Sequence, residues 1–179
     1  KIYKNVPIFA AAGGNLELFK ILDSEENIKT FQFNNELCLN AAIAFHRQQI
    51  IEYLVEIKNI NIQDIFTLNT NSGNFMSIFK TFFQYSNFVA LVYILKRGID
   101  PILFLEAASS CGCSPAVRFI LSQLNSNEPI PPIMKNPLLS SCISGNEETI
   151  KLLLNSKLFN ITDKVIFNNN NFNKGTILI

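Results

Sequence analysis

Five side chains of this 179-residue sequence are of the types that hold metals or move protons and electrons near neutral pH: Cys38, His46, Cys111, Cys113 and Cys142. A structural zinc takes four such ligands, commonly as pairs about two to four residues apart. No Cys-x-x-Cys pair and no spaced histidine pair occurs. Cys111-Gly112-Cys113 is too tight for two ligands of one finger-type site. His46-Arg47 offers an acid–base group, but no partner lies within reach by sequence. A lone histidine between two helices reads instead as a surface or capping group. Gly-x-Gly-x-x-Gly, a phosphate loop, His-Glu-x-x-His and Gly-x-Ser-x-Gly are absent from the sequence. The residues therefore predict no catalysis, no metal and no cofactor.

Charge narrows the partners. The net charge is +1, only 16% of residues are charged, and the Lys and Arg are scattered. No basic run is present to neutralise a row of phosphates, so nucleic acid is not expected. The longest apolar stretch, Phe88–Leu95, has eight residues and ends at Lys96-Arg97. A membrane helix needs about twenty. With no signal-like run at Lys1, the expectation is a soluble cytoplasmic or nuclear chain.

The elements that carry these side chains repeat. Pro7–Leu22 reads PIFAAAGGNLELFKIL, and Pro137–Leu154 reads PLLSSCISGNEETIKLLL. Gly14, Asn15, Glu17, Lys20 and Leu22 recur as Gly145, Asn146, Glu148, Lys151 and Leu153, an offset of 131. That is close to four periods of about 33. A bulky helix recurs near Leu22, Leu54, Ile94, Ile120 and Leu153, in steps of 32, 40, 26 and 33. In the first, Leu18, Ile21 and Leu22 follow i, i+3, i+4 spacing, predicting one buried stripe.

A thinner helix precedes each bulky one. Asp100-Pro101 and Asn136-Pro137 place a cap before a proline, Asn35-Glu36 is a weaker start, and Val6-Pro7 has the proline alone. Ala10-Ala11-Ala12, Ala41-Ala42, Ala107-Ala108-Ser109-Ser110 and Ser140-Ser141-Cys142 follow. Small side chains let helix backbones approach closely, so the thin helices should lie between neighbours. Cys38 and Cys142 fit that layer as small apolar filler.

These residues resemble the ankyrin repeat. Gly14-Asn15-Leu16-Glu17 and Gly145-Asn146-Glu147-Glu148 are similar to the family's turn between helices. Arg97-Gly98-Ile99-Asp100-Pro101 resembles its Gly-Ala-Asp step, and Asn61-Ile62-Gln63-Asp64 and Asn160-Ile161-Thr162-Asp163 resemble its loop. Gly175-Thr176-Ile177-Leu178 resembles the opening of another repeat. The resemblance implies an all-α, ankyrin-repeat-like helical solenoid of about five helix–turn–helix repeats. It forms a single array, with repeats near 6–34, 35–72, 73–99, 100–134 and 135–167 and a truncated sixth from 175.

The sequence departs from the family pattern in several places. The Thr-Pro-Leu-His tetrapeptide is absent, and Phe82-Phe83 stand where small residues belong. The 26-residue step leaves no room for a hairpin finger between Gly98 and Ile102. The long step places a turn-forming Asn69–Asn74, Pro129–Pro132 reads as an extended finger, and Asn168–Asn171 as a solvated loop. The tetratricopeptide repeat, with a period of about 34, lacks its aromatic and Gly/Pro landmarks here.

Ankyrin arrays have no family-wide chemistry, so the resemblance implies a monomeric protein–protein interaction module rather than an enzyme. Partner contacts would come from finger tips: Gln32, Phe33 and Asn34; Phe66, Thr67 and Leu68; Glu128 and Ile130. Phe45, Tyr85 and Ile143 would add contacts from the exposed side of the thin helices on the concave face. The alternative is a regulatory or substrate-targeting segment of a larger multidomain enzyme, which the absent initiator Met and the repeat cut at Gly175 suggest.

Overall fold

Helices account for all the regular structure of the described chain. A computed structural model describes residues 5–31, 33–62, 75–124 and 137–159, and among them are eleven α-helices and no strand. Gln32, Phe66, Thr67, Leu68, Asn69–Asn74, Glu128, Pro129–Pro132 and Ile130 lie outside the described residues. So do Asn160–Asp163, Asn168–Asn171 and Gly175–Leu178.

Ten helices form five consecutive pairs, and the two members of each pair pack on one another. The first pair is α1 (Val6–Gly13) and α2 (Leu16–Leu22); α3 (Glu25–Phe31) follows it. The second is α4 (Asn35–Ala44) and α5 (Gln48–Glu52), which continues as a π turn over Tyr53–Ile57. The third is α6 (Phe75–Gln84) and α7 (Phe88–Leu95). The fourth is α8 (Ile102–Ser110) and α9 (Ser114–Gln123), and the fifth α10 (Pro137–Ser144) and α11 (Glu147–Asn155).

The chain divides between Ile99 and Asp100 into two units. Within the first, α4 packs on both α1 and α6, while α5 packs on both α2 and α7. Within the second, α8 packs on α10 and α9 on α11. First helices thus meet first helices, and second helices meet second helices.

The small residues sit at the contacts between first helices. Ala11, Cys38 and Ala42 in the first unit, and Ala107, Ala108, Ser109 and Ser141 in the second, are fully buried. Ser144 Oγ donates to the Ser109 carbonyl at 3.1 Å, so α10 and α8 touch close to their backbones. The third pair differs. Phe79 and Phe82 of α6 are fully buried and Phe83 nearly so, while Thr81 Oγ1 donates to Asn40 Oδ1 of α4 at 2.6 Å.

Three local expectations need correction. Leu18 and Ile21 are 46% and 61% exposed, and the buried stripe of α2 is Phe19 and Leu22 with Asp23 at its end. Both stripes satisfy helical spacing; the one carrying an aromatic ring buries more area. Phe19 meets Phe33 edge-on at 5.2 Å and Tyr53 at 5.9 Å between ring centroids. Next, the cap of α4 is Asn34 rather than Asn35, with its Oδ1 accepting from Leu37 N at 3.0 Å. Finally, α3 occupies the start of the first expected finger. The Ser24 carbonyl accepts from Asn27 and Ile28 N, and Asn27 Nδ2 donates to the Ile21 carbonyl, so the chain turns from α2 directly into a new helix.

The short step behaves as its residues dictate. Gly98 has φ of +83°, and its N–H bonds to the Leu95 carbonyl, closing α7. Asp100 Oδ1 accepts from Ile102 N at 2.9 Å, so α8 starts after only the six residues Lys96 to Pro101.

Candidate functional site

The turn between the helices of each pair is built on one backbone device. Gly14, His46, Ser86, Gly112 and Gly145 all have left-handed φ, between +54° and +81°. Each stands immediately before the residue that caps the second helix: Asn15, Arg47, Asn87, Cys113 or Asn146. A left-handed residue costs a side chain roughly 1–2 kcal/mol, so glycine fills three of the five turns. The other two turns place His46 and Ser86 in that conformation.

The caps also join neighbouring pairs. Asn87 Oδ1 accepts from Ala90 N at 3.1 Å, and its Nδ2 donates to the Ile43 carbonyl of the preceding pair at 2.8 Å. Asn146 repeats this in the second unit, with Oδ1 on Thr149 N at 2.8 Å and Nδ2 on the Gly112 carbonyl at 3.0 Å. Arg47 reaches the Ala12 carbonyl with Nε at 2.7 Å. His46 Nε2 lies 2.8 Å from the Tyr85 carbonyl, which can only accept, so this nitrogen carries the proton.

Phe45 and Tyr85 immediately precede two of these left-handed residues, at the ends of α4 and α6. They are 55% and 52% exposed, and the His46 bond ties their turns together. This puts two large aromatic side chains at equivalent places of adjacent pairs. Ile143, 76% exposed, lies near the end of α10 in the second unit. Phe33 is half-buried against Phe19, and Asn34 uses its carbonyl oxygen as the α4 cap.

A second polar layer joins the second helices. The Asp23 carboxylate is almost wholly buried: its Oδ2 accepts from the Tyr53 hydroxyl at 2.8 Å, and its Oδ1 lies 2.9 Å from the Lys58 ammonium as an ion pair without hydrogen-bond alignment. Glu56 does the same for the next pair: it accepts from the Tyr93 hydroxyl at 2.8 Å and pairs with Arg97, whose guanidinium stacks 3.7 Å above the Tyr93 ring. Burial, reinforced by the bond to Asp23, pushes the Tyr53 hydroxyl up to about 12. Burial and the bond to Glu56 push Tyr93 above the ordinary tyrosine value. In the second unit Glu148 accepts from Ser114 Oγ at 2.7 Å and from Arg118 at 2.9 Å, and these bonds hold its carboxyl below the usual range.

Cys38 is fully buried, and desolvation, with the Asp23 charge adding to it, raises its thiol to about 12. A thiol so protonated is packing, not a nucleophile. Among the described residues no three His, Cys, Asp or Glu side chains gather as a metal site, and no helix is long and apolar enough to cross a membrane.

Sequence reasoning missed the linking role of Arg47, Asn87, Asn146, Asp23, Glu56, Tyr53 and Tyr93. A signal was present for the asparagines, since Asn15, Asn87 and Asn146 each precede a bulky helix in the same register. No family model matches the chain, and no curated protein and no solved structure matches it.

Proposed function

We propose that this chain is an ankyrin-repeat-like array that works as a protein–protein interaction module, without chemistry of its own, in the cytoplasm or nucleus. The observation that supports this most is the exposed aromatic pair Phe45 and Tyr85, held at equivalent positions of adjacent helix pairs. Large apolar side chains at a rigid turn cost solubility while adding little to the core, which favours a role in contact. The partner is a protein presenting an apolar surface to those rings. Affinity capture with the purified chain and with a Phe45→Ser/Tyr85→Ser variant tests the reading, with thermal midpoints confirming that both are folded. A partner retained by the parent and lost by the variant is expected. The same set of proteins on both would contradict it.

A further inference from the structure

The second helix of the second pair is one residue too long. From the left-handed residue of the inter-helix turn to the left-handed residue after the second helix is twelve residues in the third pair, Ser86 to Gly98. It is again twelve in the fifth, Gly145 to Lys157. In the second pair it is thirteen, His46 to Asn59. This is also the pair whose second helix ends in a π turn, with Lys58 N donating to the Tyr53 carbonyl at 3.1 Å across five residues.

The clasping residues locate the extra residue. Tyr53 and Tyr93 both lie seven residues after their left-handed residues, His46 and Ser86, so the register agrees up to that point. Beyond it the second pair runs one late. Asp23 is nine residues after Gly14, but Glu56 is ten after His46; Arg97 is eleven after Ser86, but Lys58 is twelve after His46. Leu54 still matches Leu22 and Ile94, all three buried. With Val55 set aside, Glu56, Ile57, Lys58 and Asn59 match Leu95, Lys96, Arg97 and Gly98. Exposed Ile57 then matches exposed Lys96, and left-handed Asn59 matches left-handed Gly98.

We infer that Val55 is a one-residue insertion absorbed by the π turn, and that this turn sets the register by which α5 and its continuation clasp both neighbouring helices. In an undistorted α-helix one extra residue rotates everything after it by about 100°. That rotation would swing Glu56 away from Tyr93 and Lys58 away from Asp23. A single π turn takes up the residue and restores the facing. The buried Asp23 carboxylate makes this restoration necessary, because a buried carboxylate left without its cation and hydroxyl is strongly destabilising. This register of the first unit stands apart from the binding role.

Deletion of Val55 tests it, with deletion of Val92 from the regular helix α7 as the control. Two readings are taken on the full chain: the thermal midpoint, and the titration of Tyr93 followed by NMR of 13Cζ-labelled tyrosine. The Val55 deletion should fold, lose less thermal midpoint than the Val92 deletion, and leave Tyr93 titrating as in the parent. A crystal structure of it should show α-helical bonding through Glu56, with Glu56 still on Tyr93 and Lys58 still on Asp23. A Val55 deletion that is unfolded, that loses as much midpoint as the Val92 deletion, or that returns Tyr93 to the ordinary tyrosine value would overturn the inference.

Discussion

Arg47 occupies the space that a side chain on Gly14 would need. A Cβ on Gly14 would stand well inside van der Waals contact with Arg47 Cδ, and Arg47 Nε donates to the Ala12 carbonyl at 2.7 Å. Glycine at this position therefore does two things. It takes the left-handed φ of +81°, and it opens the slot through which the second helix pair grips the first. Gly112 and Asn146 repeat the arrangement in the second unit, where a Cβ would come within 3.2 Å of the asparagine side chain.

Gly14→Ala should therefore cost more than Gly145→Ala, whose added Cβ meets nothing within 4 Å. Both changes carry the left-handed cost of roughly 1–2 kcal/mol. Gly14→Ala adds the loss of a charge-assisted hydrogen bond, about 1.5–3 kcal/mol. Ser86→Gly should go the other way and raise stability by up to about 1 kcal/mol, since it relieves a left-handed serine. Urea midpoints measure all three. In an Arg47→Ala background the excess cost of Gly14→Ala should disappear.

The layer between first helices predicts a second effect. Ala11 and Ala108 are fully buried where α1 meets α4 and α8 meets α10. Ala11→Leu and Ala108→Leu should each lower stability by about 1–3 kcal/mol through overpacking. Thermal midpoints unchanged in both variants would mean that these faces are not the close contacts.

Much of this was legible because it is local. Proline, asparagine and aspartate before helices, glycine at turns and runs of small residues act within a few positions, and the 26-residue step left no length for a finger. What stayed hidden depends on neighbours. Leu18–Ile21 and Phe19–Leu22 are both valid stripes, and only the rings of Phe33 and Tyr53 decide between them. Asparagine caps are readable from sequence, but the second bond each makes lies 34 or 44 residues away. The π turn looks like any apolar helix in sequence, since Tyr53-Leu54-Val55 has no breaker. His46 was readable as a turn residue, whereas its bond to the Tyr85 carbonyl was not.

Alkaline pH should loosen the first unit. The Cys38 thiol is raised from 9.0 to about 12, and the Tyr53 hydroxyl from 10.0 to about 12. Both groups bind their protons more tightly when folded. Their contribution is complete below the unfolded values and is lost as pH climbs from about 9 towards 12. Thermal midpoints should fall across that window, and Cys38→Ala and Tyr53→Phe should each make the fall shallower. Identical pH slopes in parent and variants would contradict the assignment.

Within each unit every helix pair packs on the pair next to it in sequence, and in the array proposed above stability would be a sum of such neighbouring contacts. Native-state amide hydrogen exchange, read residue by residue on the whole chain, tests this most directly. In such an array protection should sort by helix pair into distinct levels, with a step at Ile99–Asp100 where the two units meet in sequence. α1 to α7 should share one set of levels, and α8 to α11 another. A single uniform protection across all eleven helices, lost together in one transition, would contradict it.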